Sequence, residues 1–361
     1  MNLKDATTLA TKFTDSKRSE QGLHVVHFLD QKIHASDGSH GVIIEVDELN
    51  TSYWVGKSIA VDAVAFKKIV VSLKEPTLKV HRNSLIIEDA GMTFKLRGLP
   101  KRAIPEPVAV PDLSVAPKLS EAAGTALATL TTVGASTTAS TGFGMAGVRL
   151  TPWWSASGSG VTLAVAWCAV LPTDAEPVTI PGTILEGLRG KEFALLVARG
   201  RVWVKHDDEV RWALPFAAEW PDASVNDILT KCRAEKDAGE RTVAMLSGDN
   251  LASVAKKAAM VAERNTCFKL DIGTQLELSA VAFDQCGFHG TVELGTDTTI
   301  VTAVPVGVAP AALSQIASAV NDSCDDKLVA ISVGTPSSPI VMWGGGPYPF
   351  EAVVMPAFLP S

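Results

Sequence analysis

Four histidines, His24, His27, His34 and His40, stand close together near the start of the chain, and metal ligation is the first chemistry they suggest. The stretch HVVHFLD reads as a strand, however, and side chains three apart in a strand point to opposite faces. His24 and His27 therefore do not share an ion, and no metal site is expected. KHDDEV, residues 205–210, gathers acids, but it fits a charged hairpin turn better than paired catalytic carboxylates. WGGGPYP at Trp343 lacks the lysine and the helix that a phosphate loop needs, so it reads as the turn before the last strand. PWWSASGSG reads as a turn with one tryptophan packed and one exposed, not as a base-stacking platform. Cys168, Cys232, Cys267, Cys286 and Cys324 are widely spaced without a CxxC pair, which indicates reduced thiols rather than disulfides or a zinc knuckle. No nucleophile has a base beside it, so neither catalysis nor a cofactor is expected.

Positive charge is placed more suggestively. Lys12, Lys17 and Arg18 are assigned to a first predicted helix, Lys67 and Lys68 to a second, Arg189 and Lys191 lie near a fourth, and Lys256, Lys257 and Arg264 on a fifth. Taken alone, these residues fit a solvated helix face or a surface facing phosphates. The net charge of −7 disfavours a surface that is basic all over and leaves a local patch open. Hydrophobic content of 47% with 20% charged residues describes a folded chain rather than a disordered one. No apolar stretch approaches the ~18 residues of a membrane helix, and MNLKDATTLATKF lacks the regions of a signal peptide, so a cytoplasmic location without membrane contact is expected.

The elements that carry these residues recur. SIAVDAVAFKKIVVSL, PVTIPGTILEGLRG and TAVPVGVAPAALSQIASAV each read as a strand followed by a helix, spaced about 120 residues apart, which suits repeated whole domains. Period-two strand pairs precede each, and hairpins running into a proline follow: LRGLP, RWALP and, at the end of the chain, VVMP. Helix candidates open each repeat at LKDATTLATKF, KLSEAAGTALATL and DNLASVAKKAAMVAER. In the last, Asp249 is a candidate N-cap and Leu251, Val254, Ala255, Ala258 and Ala259 share a helical spacing. KRAIPEPVAVPDLSVAP and DASVNDILTKCRAEKDAGER read as linkers, which divides the chain into 1–112, 113–240 and 241–361.

With DGSHGVIIEV early, GLPKRAIP closing the first repeat and VVMPAFL closing the chain, the sequence resembles the bacterial and phage DNA polymerase III sliding clamps, the beta-clamp family. The resemblance spans the whole chain and rests on the triple repeat and on an ending similar to M-P-apolar-x-L. It implies an α+β fold of three repeated domains of DNA-clamp topology, each with two helices plus antiparallel sheets. Two such chains would close head to tail into a homodimeric ring around duplex DNA. The implied function is processivity in DNA replication, without catalysis or cofactor. Double-stranded DNA would be held without sequence preference by the basic residues named above, in a cytoplasmic, nucleoid-associated setting. The polymerase and a clamp loader would dock short peptides in a groove. By residue matching its walls are Met145, Val170, Leu171, Pro221, Val225, Pro336, Ser338, Val354, Met355, Pro356, Ala357, Phe358 and Leu359. Phe94 and Leu96 on an edge strand, with Met260 and Val261 at a helix end, are the expected dimer contacts. Three features depart from the family: AWCAVL at 166–171 replaces a TDGHRL-like stretch, the first repeat begins almost directly at its helix so that the family's usual N-terminal strand is expected to be short or missing, and GTALATLTTVGAST carries no basic residue. A non-enzymatic β-rich binding protein, for carbohydrate or in a phage particle, is the alternative.

Overall fold

The computed structural model describes residues 1–15, 24–100, 106–134, 147–217, 220–262, 267–280, 287–301, 305–345 and 348–357. They form two compact units, Met1–Leu119 with Glu192–Pro215, and Ser120–Lys191 with Phe216–Ser361. Both are α+β with antiparallel sheets, as the alternating patterns predict.

In the first unit, α1 (Leu3–Ala10) begins at Asn2, whose side chain accepts the Asp5 N–H, and buries Leu3, Ala6, Thr7 and Ala10 along one stripe. Strands β1 (Val25–Leu29), β2 (Lys32–Ser36), β3 (His40–Glu45) and β4 (Ser58–Asp62) lead into α2 (Ala63–Ser72), capped by Asp62. Phe66 of α2 packs edge-on against Phe28 of β1, fixing helix to sheet. A separate sheet holds β5 (Thr77–His81), β6 (Ser84–Asp89) and the edge strand β7 (Met92–Arg97). Residues 106–117 contain neither helix nor strand, in keeping with their prolines, and β8 is the short Lys118–Leu119. Much later in sequence come β13 (Phe193–Ala198), β14 (Arg201–His206) and β15 (Glu209–Ala213). They complete an eight-stranded sheet in the order β4-β1-β2-β3-β15-β14-β13-β8. Gly41 stands opposite Trp212, and a Cβ there would lie 2.8 Å from the indole, so this pairing admits only glycine. The β14–β15 connection is the hairpin that KHDDEV predicts. Glu209 and Arg211, however, form a buried ion pair at 2.6 Å rather than a solvated cluster.

The second unit opens with α3 (Glu121–Gly134), followed by β9 (Val148–Leu150), β10 (Ser155–Gly158), β11 (Thr162–Ala166) and β12 (Val178–Ile180). Then come α4 (Asp222–Asp237), β16 (Thr242–Ser247), α5 (Gly248–Val261), β17 (Phe268–Ile272), β18 (Gln275–Ala280), β19 (His289–Glu293) and β20 (Val306–Val308). The unit ends with α6 (Pro310–Ser323), β21 (Leu328–Val333), β22 (Ile340–Gly344) and β23 (Phe350–Val354). The larger sheet runs β12-β9-β10-β11-β23-β22-β21-β16 and the smaller β19-β18-β17-β20. Central placement explains the apolar end of the chain, because β23 lies between β11 and β22 and buries Ala352, Val353 and Val354 on both faces. Past Pro356 the chain leaves this sheet, and the Ala357 N–H donates to the Gly307 carbonyl of β20 at 2.9 Å. Any side chain at Gly307 would clash with that tail.

Four readings from sequence need correction. The supposed linker DASVNDILTKCRAEKD is the 16-residue helix α4; its buried stripe of Val225, Leu229 and Cys232 is narrow, and the surrounding charge hid it. PVTIPGTILEGLRG forms β12 and only a 3-10 turn at Gly182–Ile184, since Gly187 and Gly190 adopt positive φ and interrupt the helix. Ser247, not Asp249, caps α5, accepting from Asn250 N–H, while Asp249 accepts from the Asn321 amide at 2.8 Å. In PWWSASGSG the indole of Trp153 is 64% exposed and Trp154 is buried, as expected, but Ser155–Gly158 is strand β10 rather than turn.

Candidate functional site

Packing decides where the basic residues point. On α2, Phe66 and Val70 turn inward, which leaves Lys68 exposed and Lys67 half-buried; Lys12 is exposed on the turn Thr11–Phe13 after α1. On α5, Leu251, Ala255 and Ala258 are buried, so Lys256 and Lys257 fall on the solvated side. Lys256 also borders an open cleft with Val161, Ala259, Ala311, Ala312 and Gln315, between α5 and α6. Arg189 lies in a turn, not on a helix. It pairs with Asp322 of α6 at 3.0 Å and donates to Thr129 of α3 at 3.3 Å, so its charge is partly spent inside the unit. Lys191 is half-buried beside it. Lys17, Arg18 and Arg264 lie outside the described residues. Helices α3 and α6 contain no Lys or Arg. Sparse, mobile lysines among small apolar side chains can attract a phosphate backbone weakly, with strong salt dependence and without reading bases.

The residues matched to a partner groove all belong to the second unit. Val170 and Leu171 follow β11, Pro221 and Val225 stand at the start of α4, Pro336 and Ser338 occupy the β21–β22 turn, and Val354, Met355, Pro356 and Ala357 form the tail. The Val225 N–H donates to the Pro221 carbonyl at 3.0 Å, and Ser338 closes its turn on Thr335 at 2.9 Å. Val225 packs with Trp154, Trp220, Leu229, Val341 and Val353 in one cluster. Val170, Leu171, Val225 and Val354 are buried, whereas Pro336 and Met355 are exposed. Met145, Phe358 and Leu359 lie outside the described residues.

Further along α4 a cleft of about 120 Å³ opens between Leu229, Cys232, Arg233 and Lys236 on the helix and Val341, Trp343 and Glu351 on the sheet. Its rim is made by side chains that the linker reading missed. Arg233 stacks over Trp167 at 4.7 Å and pairs with Glu351, and Lys236 sits over Trp343 at 5.1 Å. Their signal was present as two cations three residues apart on the helix stripe's edge.

Of the expected dimer contacts, Phe94 and Leu96 are half-buried on the edge strand β7, next to a half-exposed Met92. Met260 is 78% exposed and Val261 45% exposed at the end of α5. Elsewhere the chemistry is quiet. Among the described residues no three His, Cys, Asp or Glu side chains are placed to hold a metal ion. Burial pushes the Cys168 thiol up to about 12 and Cys324 to about 11, so neither is a thiolate at neutral pH. Cys168, Cys232, Cys267 and Cys324 are free thiols, and Cys286 lies outside the described residues. Among the described residues no helix is long and apolar enough to cross a membrane.

No protein-family model and no curated protein matches the sequence. The structure, by contrast, is similar over nearly its whole length to solved sliding clamps. The Bartonella birtlesii DnaN sliding clamp (DNA polymerase III subunit beta), solved bound to griselimycin, superposes with a TM-score of 0.78 at 16% identity, covering 99% of this chain and 97% of that one. The Thermotoga maritima DNA polymerase III beta subunit gives 0.77 at 16% identity over 99% and 98%, and the Bacillus subtilis DNA polymerase sliding clamp 0.77 at 14% over 99% and 97%. At such identities the likeness is one of fold, and the chain has the sliding-clamp fold.

Proposed function

We propose that this chain is a non-catalytic DNA sliding clamp. Two copies close head to tail into a ring around duplex DNA, and each contributes three domains, 1–112, 113–240 and 241–361. The whole-length likeness to solved clamps carries this reading. Exposed Lys12, Lys68, Lys256 and Lys257, with half-buried Lys67, support sequence-independent attraction to phosphates. Polymerase and clamp loader dock short peptides against the start of α4, the segment after β11 and the chain's tail. Because Val170, Leu171, Val225 and Val354 are buried, docking there requires the groove to open or to use its exposed rim at Met355 and Pro336. The clamp works in the cytoplasm, on the nucleoid.

Ring closure uses Phe94 and Leu96 against Met260 and Val261 of the other copy, the last two offering adjacent exposed apolar side chains at the end of α5. Analytical ultracentrifugation tests this directly. The wild-type chain is expected to sediment as a dimer and the Met260→Asp, Val261→Asp variant as a folded monomer. A variant that stays dimeric contradicts the proposed contact.

A further inference from the structure

The eight-stranded sheet of the first unit gathers on one face a set of side chains far apart in sequence. Its registers place His27 opposite His34, His34 opposite Ile43, and Trp212 opposite Gly41, and residues directly opposite share a face. Residues 106–108 pass beside this face without filling it. A cavity of about 200 Å³ remains, lined by Val25, His27, His34, Val42, Val108, Arg201 and Trp212 among others, with the exposed Glu106 also on its wall.

The polar groups here are not used by the clamp reading. Arg201 lies over the Trp212 ring at 5.1 Å, and its Nε is buried with no hydrogen-bond partner among the described residues. A guanidinium is charged at every accessible pH, so this N–H is a cationic donor awaiting an acceptor. The His27 and His34 rings sit 6.2 Å apart, and His27 Nε2 is held by the Ser58 hydroxyl at 2.9 Å. Burial lowers the pKa of His27 and takes that of His34 down to about 4, so both imidazoles are neutral near pH 7 and offer hydrogen bonds rather than charge.

We propose that this cavity binds a small monocarboxylate with a compact apolar body. The carboxylate meets Arg201 and the imidazole of His34, and the body lies against Val25, Ile43, Val108 and Trp212. Charge selects the class. One permanent cation matches one carboxylate, while the Glu106 carboxylate on the same wall disfavours a dianion such as a phosphate monoester. A cationic ligand would meet the buried Arg201 Nε–H, whereas Glu106 is exposed to solvent, which screens its charge. The apolar walls and the indole supply the remaining contact, as in most small-molecule sites.

Calorimetric titration at pH 7.5 with benzoate and with its neutral counterpart benzamide provides the test, alongside the His27 and His34 ring signals by NMR. Benzoate is expected to bind and to shift both imidazoles, with benzamide at least tenfold weaker. Arg201→Gln should lose at least tenfold for benzoate and leave benzamide unchanged, and Arg201→Lys should fall between, each checked for an unchanged melting profile. Equal affinity for acid and amide, or no heat and no imidazole shift at millimolar benzoate, overturns the proposal. So does an Arg201→Gln or Arg201→Lys protein that melts normally and binds as the wild type does.

Discussion

The two eight-stranded sheets follow the same plan, yet their covers differ in kind. In the first unit, residues 106–117 lie over Trp203 and Trp212 through Val108 and Leu113, without secondary structure. In the second, α4 seats Val225, Leu229 and Cys232 on a cluster holding Trp154, Trp220, Val341 and Val353. A proline-rich strap cannot satisfy its own backbone by a helical ladder and touches the sheet at a few points, leaving room beside it. A helix repeats its contact every turn and covers more of the face, leaving a smaller cleft of about 120 Å³ along α4. The lesson is that the cover, not the sheet, decides how much of a face becomes solid core and how much stays open as a cavity.

The contrast can be broken at its packing. Leu229→Ala removes a nearly fully buried side chain from under α4 and should cost about 2–4 kcal/mol of unfolding free energy. Val108→Ala, in the partly exposed strap, should cost under about 1 kcal/mol. Denaturant unfolding of the two variants checks the difference; equal losses would mean that the strap packs as tightly as the helix.

Acid should distinguish the two faces next. His34 is held down to about 4 by burial, with the nearby charges of His27 and Lys32 adding to it. Its folded pKa is below the unfolded value of about 6.5, so the unfolded chain binds the proton first. The stability from neutral His34 is complete above about pH 6.5 and is lost as the pH falls toward about 4, up to about 3 kcal/mol. His34→Gln should flatten that part of the stability–pH curve, measured by urea unfolding between pH 4 and pH 7. A curve that the substitution leaves unaltered would place the imidazole in water.

A smaller effect sharpens the same comparison at the rim of α4. Replacing Lys236 with Gln removes its contact with Trp343 and should cost about 0.5–1 kcal/mol, as expected for an exposed cation over an indole. Arg233→Gln should cost more, because it also gives up Glu351. Thermal melts of both variants rank the contributions.

How much of this was legible in sequence follows from how local each feature is. The terminal FEAVVMP could be read as a buried strand stopped by proline, because burial and punctuation lie within one short run. Exposed Lys68, Lys256 and Lys257 follow from helical spacing alone. Helix α4 was missed because three buried residues in a polar segment give little periodicity, and the helix expected after β12 failed because glycine turns overrode its apolar residues. The cavity was out of reach altogether. It depends on His27 meeting His34 across a hairpin and on Arg201 and Trp212 arriving from strands far along the chain, and only sheet register brings them together.

The central claim is topological, and retention on DNA tests it most directly. The protein is concentrated together with a circular plasmid, washed at high salt to remove charge-held molecules, and the plasmid is then cut once. A closed ring that slides predicts protein retained on the intact circle at high salt and released when the circle is linearised. Retention that is the same on circular and linear DNA, or lost from both at high salt, would contradict encirclement.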